Sequence, residues 1–306
     1  GAGEPLVVLV ILIATAVSGC GGGSSGGSDL AGIASPGSLV YAEVDLAPSG
    51  ELKSNTDSLA QAIGGIDNLG DYVVSKLEES AREDGEPFDF DQEVRPWLGE
   101  RGAVAFKRLE DGDLTDPVVA IEATDAAAAQ EFVDRQTSES KDPYTASSYE
   151  GIDFEVGDKD NEFEVDSDEG NSIGIIGENL VIAEGEAGFK QAVDASNGES
   201  LGDESQFQDA ISAASDGSLA DVYVDIGGLI EASGDSVDPT AREILQNAGI
   251  DPSEATAVAS LIPGSSQIEI DLSSDLGGEE APSGDDSDLV AEAGGGEGGE
   301  RVRRHR

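Results

Sequence analysis

The sequence has almost none of the residues that carry thiol and imidazole chemistry. It contains one cysteine and one histidine in 306 residues, and the histidine, His305, is next to last. Histidine is the usual general base and the commonest protein ligand of metals, and disulfides and structural zinc sites need more than one cysteine. The sequence therefore excludes a Ser-His-Asp type of triad, thiol–disulfide chemistry and a structural zinc site.

Basic residues are also scarce. Lysine and arginine together number 16 against 65 aspartates and glutamates, which gives a formal net charge of −49. Nucleic-acid binding depends on Lys and Arg side chains that neutralise phosphates, so the composition excludes it for the body of the protein. Anionic membrane surfaces should repel the body for the same reason. The acidic excess fits either a salt-adapted protein or solubility through self-repulsion.

Motifs that bind cofactors are absent too. The chain has no G-x-x-x-x-G-K-[ST] phosphate loop, and no G-x-G-x-x-G follows a predicted strand, so we predict no cofactor. Two carboxylates could support glycoside hydrolysis, but their abundance makes any given pair uninformative, and aromatic residues for sugar stacking are only 5% of the chain. We predict a protein that is not an enzyme and has no catalytic residues, with a carboxylate-dependent hydrolase as a distant alternative.

The first 20 residues have the pattern of a lipoprotein signal. Leu6–Val17 is nearly all apolar, too short to span a bilayer comfortably but the right length for the h-region of a secretory signal. Ser18 and Gly19 then precede Cys20, which resembles the lipobox of bacterial lipoproteins. The resemblance implies that Cys20 is acylated and becomes the mature N-terminus, and a buried, inert thiol is the alternative. Since residues 1–5 have no Met and no Lys or Arg, we expect this N-terminus to be truncated or mis-started.

A Gly/Ser-rich segment follows the cysteine. Residues 21–28 read GGGSSGGS, and a flexible chain of that length spans about 15 Å. We predict a tether over residues 21–34. A lipid on Cys20 would supply the membrane affinity that the acidic body lacks. We therefore expect a protein anchored by lipid to the extracytoplasmic face of the cell membrane.

Residues 35–275 carry the periodicity of a folded body. Alternating patterns predict strands at residues 38–46, 103–109, 118–123, 147–156, 162–166, 172–176, 180–184, 220–226 and 267–272. Helical patterns cover residues 52–63, 67–82, 126–136, 186–195, 204–214 and 239–247. Strand groups that alternate with helix pairs predict an α+β fold, with a mainly antiparallel sheet and helix pairs packed on it.

The body contains an internal echo. A turn sequence that leads into a strand with a tyrosine and an aspartate occurs twice, as Ser35–Leu39 with Tyr41 and Asp45, and as Ser215–Leu219 with Tyr223 and Asp225. This repetition indicates two related halves, residues 35–214 and an incomplete second half at 215–275. Chance similarity in a chain rich in Gly, Ser and Asp is the alternative.

Residues 276–306 differ in character from the body. They form an acidic low-complexity segment that we predict to be disordered, because it cannot bury enough apolar surface to order itself. The segment ends in RVRRHR, with four arginines in six residues. A frame error or a truncated gene end is our first interpretation, and a basic contact tail is the alternative.

One acidic pattern suggests a cation site. Six carboxylates stand at every second position, namely Asp158, Asp160, Glu162, Glu164, Asp166 and Asp168. On a strand this spacing puts all six on one face, and calcium takes six to eight oxygen ligands. The pattern lacks the Gly and the terminal Glu of an EF-hand loop. A solvated outer strand face explains it equally well, so the metal remains unassigned.

Several segments together resemble a known family. They are the lipobox, SPGSLVYAEVDL at 35–46, VRPWLG at 94–99 before AVAF at 103–106, YEGI at 149–152, and LVI at 180–182. These resemble the bacterial envelope family called domain of unknown function 3352 over about Ser35–Asp275. Because the motifs serve packing and turns, the resemblance implies a fold and no catalytic residues. Within them we expect Trp97 to anchor the core, with a ligand contact as the alternative.

Together these patterns predict a non-catalytic binding or scaffold module of the cell envelope. If its acidic surface meets a basic protein partner, the association should weaken steeply with salt. The alternative is a carrier that holds an apolar or lipid ligand between sheet and helices. A carrier requires an internal cavity lined by Val, Leu, Ile and Phe.

Overall fold

A single ten-stranded sheet organises the protein. The computed structural model describes residues 29–84, 88–110, 112–140, 143–158, 170–234 and 254–276. The strands are β1 Val40–Asp45, β2 Leu98–Glu110, β3 Asp113–Ala123, β4 Tyr144–Tyr149, β5 Ile152–Gly157, β6 Asn171–Ile176, β7 Asn179–Glu184, β8 Ala220–Asp225, β9 Thr256–Pro263 and β10 Ile268–Asp275. Their order is β10-β9-β8-β1-β2-β3-β7-β6-β5-β4, and every neighbouring pair is antiparallel.

Helices cover both faces of this sheet. Over the described ranges they are α1 Gly50–Gly64, α2 Leu69–Asp84, α3 Phe90–Glu93, α4 Ala126–Glu139, α5 Gly185–Asn197, α6 Ser205–Ile211 and α7 Ile226–Ala232. Two 3₁₀ turns lie at Asp29–Gly32 and Leu201–Asp203. The predicted α+β class with a mainly antiparallel sheet is confirmed.

The first face of the sheet packs against α2, α3 and α4. Its buried strand residues include Val104, Val119 and Ile182, which follow one another across β2, β3 and β7. Trp97 is 1% exposed and its ring centroid lies 5.4 Å from that of Phe132. The Trp97 indole N–H donates to a backbone carbonyl at 2.7 Å, so its polar atom is satisfied as well. Trp97 therefore anchors this core, as predicted.

The second face packs against α5, α6 and the N-terminal 3₁₀ turn. Phe189 from α5 stacks on Phe154 from β5 with 4.3 Å between the ring centroids. The close approach depends on Gly174 in β6, where a Cβ atom would lie 2.8 Å from Phe154 and 2.9 Å from Phe189. Phe207 from α6 fills the other end of this core.

The folded body begins earlier than predicted, within the residues that we expected to form the tether. Residues 29–34 belong to the folded body, because Leu30, Ala31 and Ile33 are at most 4% exposed and pack into the second-face core. The backbone joins in as well, since Ala34 accepts a hydrogen bond from the Leu201 N–H at 2.9 Å. The folded body therefore includes residues 29–34, which we predicted as part of the tether. Residues 21–28 lie outside the described ranges.

Several other elements differ from the sequence prediction. The run at 147–156 is a hairpin, β4–β5, that turns at Glu150 and Gly151, both with positive φ. Helix α6 ends at Ile211 rather than at residue 214. Helix α7 and strand β9 were not predicted. The apolar pattern of β9 is weak because the strand contains small residues such as Ala257 and Ala259. The predicted strand 162–166 and helix 239–247 lie outside the described residues.

The two copies of the internal echo form the centre of the sheet. β1 and β8 are antiparallel neighbours, and Ala42 lies opposite Val222. The Asp225 N–H donates to the Leu39 carbonyl at 2.9 Å, and the Asp45 N–H donates to the Leu219 carbonyl at 3.4 Å. A pseudo-twofold axis normal to the sheet passes between Ala42 and Val222 and maps each of these two hydrogen bonds onto the other.

The same axis relates the strands that follow. The meander β1-β2-β3 runs away from the centre on one side, and β8-β9-β10 runs away on the other. The Leu39 N–H donates to Phe106 of β2 at 2.8 Å, and its counterpart, the Leu219 N–H, donates to Leu261 of β9 at 2.6 Å. This arrangement is consistent with an internal duplication, and the predicted halves stay a prediction.

Candidate functional site

The residues predicted as sites from the sequence lie almost entirely outside the described ranges. Cys20 is one of them, and of the acidic stripe only Asp158 is described, with its side chain exposed. Lipidation of Cys20 and cation binding along residues 158–168 therefore stay predictions. Within the described ranges, no group of three or more His, Cys, Asp or Glu side chains could hold a metal ion.

A buried carboxylate lies beside the centre of the sheet. Asp221 of β8 is 8% exposed and accepts a hydrogen bond from the Ser218 hydroxyl at 2.8 Å and from the Ser260 hydroxyl at 2.6 Å. Ser260 also accepts the Ser215 N–H at 2.9 Å. The cluster thus ties the turn before β8 to β9, and all of its polar atoms named here have partners.

The environment of this carboxylate favours a structural role. Burial raises the pKa of Asp221, and the hydroxyls of Ser260 and Ser218 partly offset that rise by stabilising the charged form. A serine nucleophile would need an adjacent base and access to substrate. Ser218 and Ser260 are at most 2% exposed and direct their protons at Asp221, so the cluster joins strands rather than performing chemistry.

A small cleft lies on the second face of the sheet. Its cavity volume is about 10 Å³, and its walls are Ser35, Ser38, Ala105, Lys107, Asp116, Val118, Gly188 and Gln191. The Lys107 ammonium donates to the Pro36 carbonyl. Burial lowers the pKa of Lys107, and the carboxylates of Glu204 and Asp116 act in the opposite direction. Small-molecule sites usually enclose roughly 300–1,000 Å³ with apolar walls, so this cleft does not supply the cavity that a lipid carrier requires.

Sequence reasoning missed both Lys107 and Asp221. Lys107 continues the strand positions of Ala103 and Ala105, which face the core, so a charge at that position was a detectable signal. Asp221 was hidden because it is one of 65 acidic residues. Its significance depends on Ser260, which is distant in sequence and lies on a strand that the pattern did not predict.

Most basic side chains of the described residues pair with carboxylates of the same chain. Seven Lys and Arg side chains lie within 4.0 Å of an Asp or Glu oxygen: Lys53, Lys76, Arg95, Arg101, Arg108, Arg135 and Lys190. Exposed pairs of this kind contribute little to stability. Their consequence is electrostatic, since most of the positive charge on the described residues is already offset by carboxylates of the same chain.

Each helix of the described residues is too short or too polar to span a lipid bilayer.

The chain has a match among known protein families. No curated protein and no solved structure matches the chain. A family model described as "Protein of unknown function (DUF3352)" matches residues 73–269, which is more than half of the chain. The match extends from α2 to β10 and so includes most of the central sheet. The chain therefore belongs to this family of unknown function.

Proposed function

We propose that the protein is a non-catalytic binding or scaffold module of the cell envelope, held at the extracytoplasmic face of the membrane by a lipid on Cys20. Its partner is a basic protein. The observation that carries the proposal is the charge distribution: the chain has a net charge of −49, and seven of its basic side chains are already paired with its own carboxylates.

Such a surface favours one class of partner. Complementary charge raises the rate of encounter and selects against partners of the same sign. Lys- and Arg-rich proteins fit this surface, whereas nucleic acids and anionic lipid surfaces do not. The proposed lipid anchor would hold the acidic body near a membrane that repels it.

The anchoring half of the proposal is tested by changing Cys20. Residues 6–306, preceded by Met-Lys-Lys to supply a start and a basic n-region, are expressed in a bacterial host and partitioned between detergent and water. We expect the protein in the detergent phase, with an acylated N-terminal peptide that begins at Cys20. Cys20→Ser should move it to the aqueous phase, and Ser25→Ala, in the same Gly/Ser segment, should not. Equal partitioning of the protein and Cys20→Ser contradicts the anchor.

The binding half is tested with a fluorescent peptide rich in Lys and Arg. We expect binding to the full chain at low salt, with an affinity that falls at least about tenfold between roughly 0.05 and 0.5 M NaCl, because the Debye length shortens severalfold. A peptide of equal length with Glu in place of Lys and Arg is the control. Binding that does not respond to salt contradicts the proposal.

A further inference from the structure

The last strand of the sheet has an exposed apolar face. β10 is an edge strand, and Ile268, Ile270 and Leu272 stand at alternate positions along it with exposures of 39%, 59% and 53%. Registers place Ile270 opposite Leu261 and Leu272 opposite Ala259. The apolar stripe therefore continues the first face of the sheet into solvent. Exposed, contiguous apolar surface on an edge strand marks an interaction site or an aggregation hazard.

The pseudo-twofold axis identifies β3 as the strand that corresponds to β10 on the other side of the sheet. The registers that run outward from Ala42 and Val222 place Leu272 of β10 where Val119 lies in β3. Val119 is fully buried. β3 also pairs with β7 over Val118–Glu122, whereas the corresponding edge of β10 has no partner strand in the described part of the chain. β10 thus corresponds to β3, which is an internal strand, but β10 itself lies at the edge of the sheet and is exposed.

The other face of β10 is acidic. Glu269 and Asp271 alternate with the apolar stripe, so their side chains project from the opposite face of the sheet. Asp271 accepts the Ser215 hydroxyl at 2.6 Å, which fixes one carboxylate beside the turn before β8. A strand laid along β10 would therefore meet apolar side chains on one face and carboxylates on the other.

We propose that β10 receives a β-strand from a partner protein, and that this strand alternates apolar residues with Lys or Arg. The apolar residues would cover Ile270 and Leu272, and the basic residues would meet Glu269 and Asp271. Strand addition at a sheet edge uses backbone hydrogen bonds for affinity and alternate side chains for specificity, and opposite charges stabilise neighbouring strands. This inference rests on the proposed function and assigns its surface and the chemistry of its partner.

A second copy of the chain fits this edge less well. Pairing β10 with its own copy would bring Glu269 and Asp271 close to the same carboxylates. Like charges on neighbouring strands are destabilising, and each copy adds a net charge of −49. Charge complementarity therefore selects a basic heterologous strand.

Hydrogen–deuterium exchange with mass spectrometry tests this assignment on the full chain. The probe is a synthetic peptide in which Val and Lys alternate, and its control has the same composition in one Val block and one Lys block. We expect the alternating peptide to slow exchange of the amides in Ile268–Asp275 and to bind more tightly than the block peptide. The double variant Ile270→Thr/Leu272→Thr, which keeps the charge and a β-forming side chain, should lower the affinity at least about tenfold.

The matched control is Ile63→Thr. Ile63 is 74% exposed on α1, so its replacement removes exposed apolar surface elsewhere and should leave binding unchanged. Equal binding of both peptides without protection of β10 overturns the strand-addition site and leaves the acidic binding function standing. Failure of both peptides to bind at any salt concentration overturns both the strand-addition site and the acidic binding function. Protection of β10 that grows with protein concentration, with no peptide present, identifies a second copy as the occupant and overturns the proposed partner.

Discussion

Tyr41 and Tyr223 lie directly opposite each other on the two central strands. Phe207 meets both rings nearly edge-on, with centroid distances of 5.3 Å to Tyr41 and 5.0 Å to Tyr223. The two tyrosines are not counterparts under the pseudo-twofold axis, which instead relates Tyr41 to Asp221. One aromatic ring from α6 therefore closes the second face where the two sides of the pseudo-symmetric sheet join.

Replacement of Phe207 by Ala should destabilise the protein strongly. Phe207 is 1% exposed, and removal of a buried phenyl ring costs about 3–5 kcal/mol. Urea denaturation followed by circular dichroism measures the change in the free energy of unfolding. Phe207→Leu keeps most of the apolar volume and should cost clearly less. A loss for Phe207→Ala no larger than for Phe207→Leu contradicts this role.

The Asp221 cluster should contribute to stability through its hydrogen bonds. Asp221→Ala leaves the buried hydroxyls of Ser218 and Ser260 without their acceptor, which should cost about 2–3 kcal/mol. Asp209 is exposed on α6, so Asp209→Ala is the matched control and should change the free energy of unfolding by less than about 0.5 kcal/mol. Equal effects of the two substitutions would show that the cluster does not join the strands.

The contribution of Asp45 to stability should decrease as the pH rises. Burial raises the pKa of Asp45 to about 6; the Ala47 N–H lowers it, Glu100 raises it and Arg101 lowers it. The folded state therefore binds this proton more tightly than the unfolded state does, so the contribution of Asp45 to stability is largest at low pH. It is lost as the pH rises from about 4, where an unfolded aspartate titrates, through the folded pKa.

Asp45→Asn should remove this dependence. The amide oxygen can still accept the Ala47 N–H, which lies 2.8 Å from a carboxylate oxygen of Asp45. We expect the variant to equal the unsubstituted protein in stability near pH 4 and to exceed it by about 1–2 kcal/mol at pH 8, after allowance for partial exposure. Urea denaturation across this range gives the difference. A variant that loses stability at pH 8 would show that the charged carboxylate is favourable.

Gly174 should not tolerate a side chain. A Cβ atom there would lie 2.8 Å from Phe154 and 2.9 Å from Phe189, so Gly174→Ala should separate the stacked rings and cost about 1–3 kcal/mol. Gly32→Ala is the control, since nothing lies within 4 Å of the added Cβ atom. Thermal unfolding compares the two variants, and equal melting temperatures would contradict the packing argument.

The sequence predicted the elements whose patterns are local. β1, β2 and the hairpin to β3 follow from alternation and a Gly-containing turn, and α4 follows from Asp125, which accepts the N–H groups of Ala127 and Ala128 as an N-cap. The family resemblance rested on the lipobox and on the same strand and turn segments. The family match over residues 73–269 confirms the family, and the lipobox and the segment at 35–46 lie outside the match.

Features that depend on contacts between distant residues could not be predicted in this way. The echo at 35–46 and 215–226 was visible in the sequence, but its meaning, a paired centre with Ala42 opposite Val222, exists only in the sheet. The predicted tether boundary was wrong because Leu30 and Ile33 are buried against residues that are distant in sequence. The exposure of β10 likewise depends on which strand lies at the edge.

Native mass spectrometry of the full chain tests the central claim most directly. The protein is purified from a membrane-containing host and sprayed with and without the Lys- and Arg-rich peptide, at low and at high ammonium acetate. A binding module with an acidic surface predicts no non-covalent lipid-sized mass on the protein, and a peptide complex at low ammonium acetate that is lost at high concentration. A lipid-sized mass that is lost on denaturation, together with no peptide complex, would contradict the account and identify a carrier.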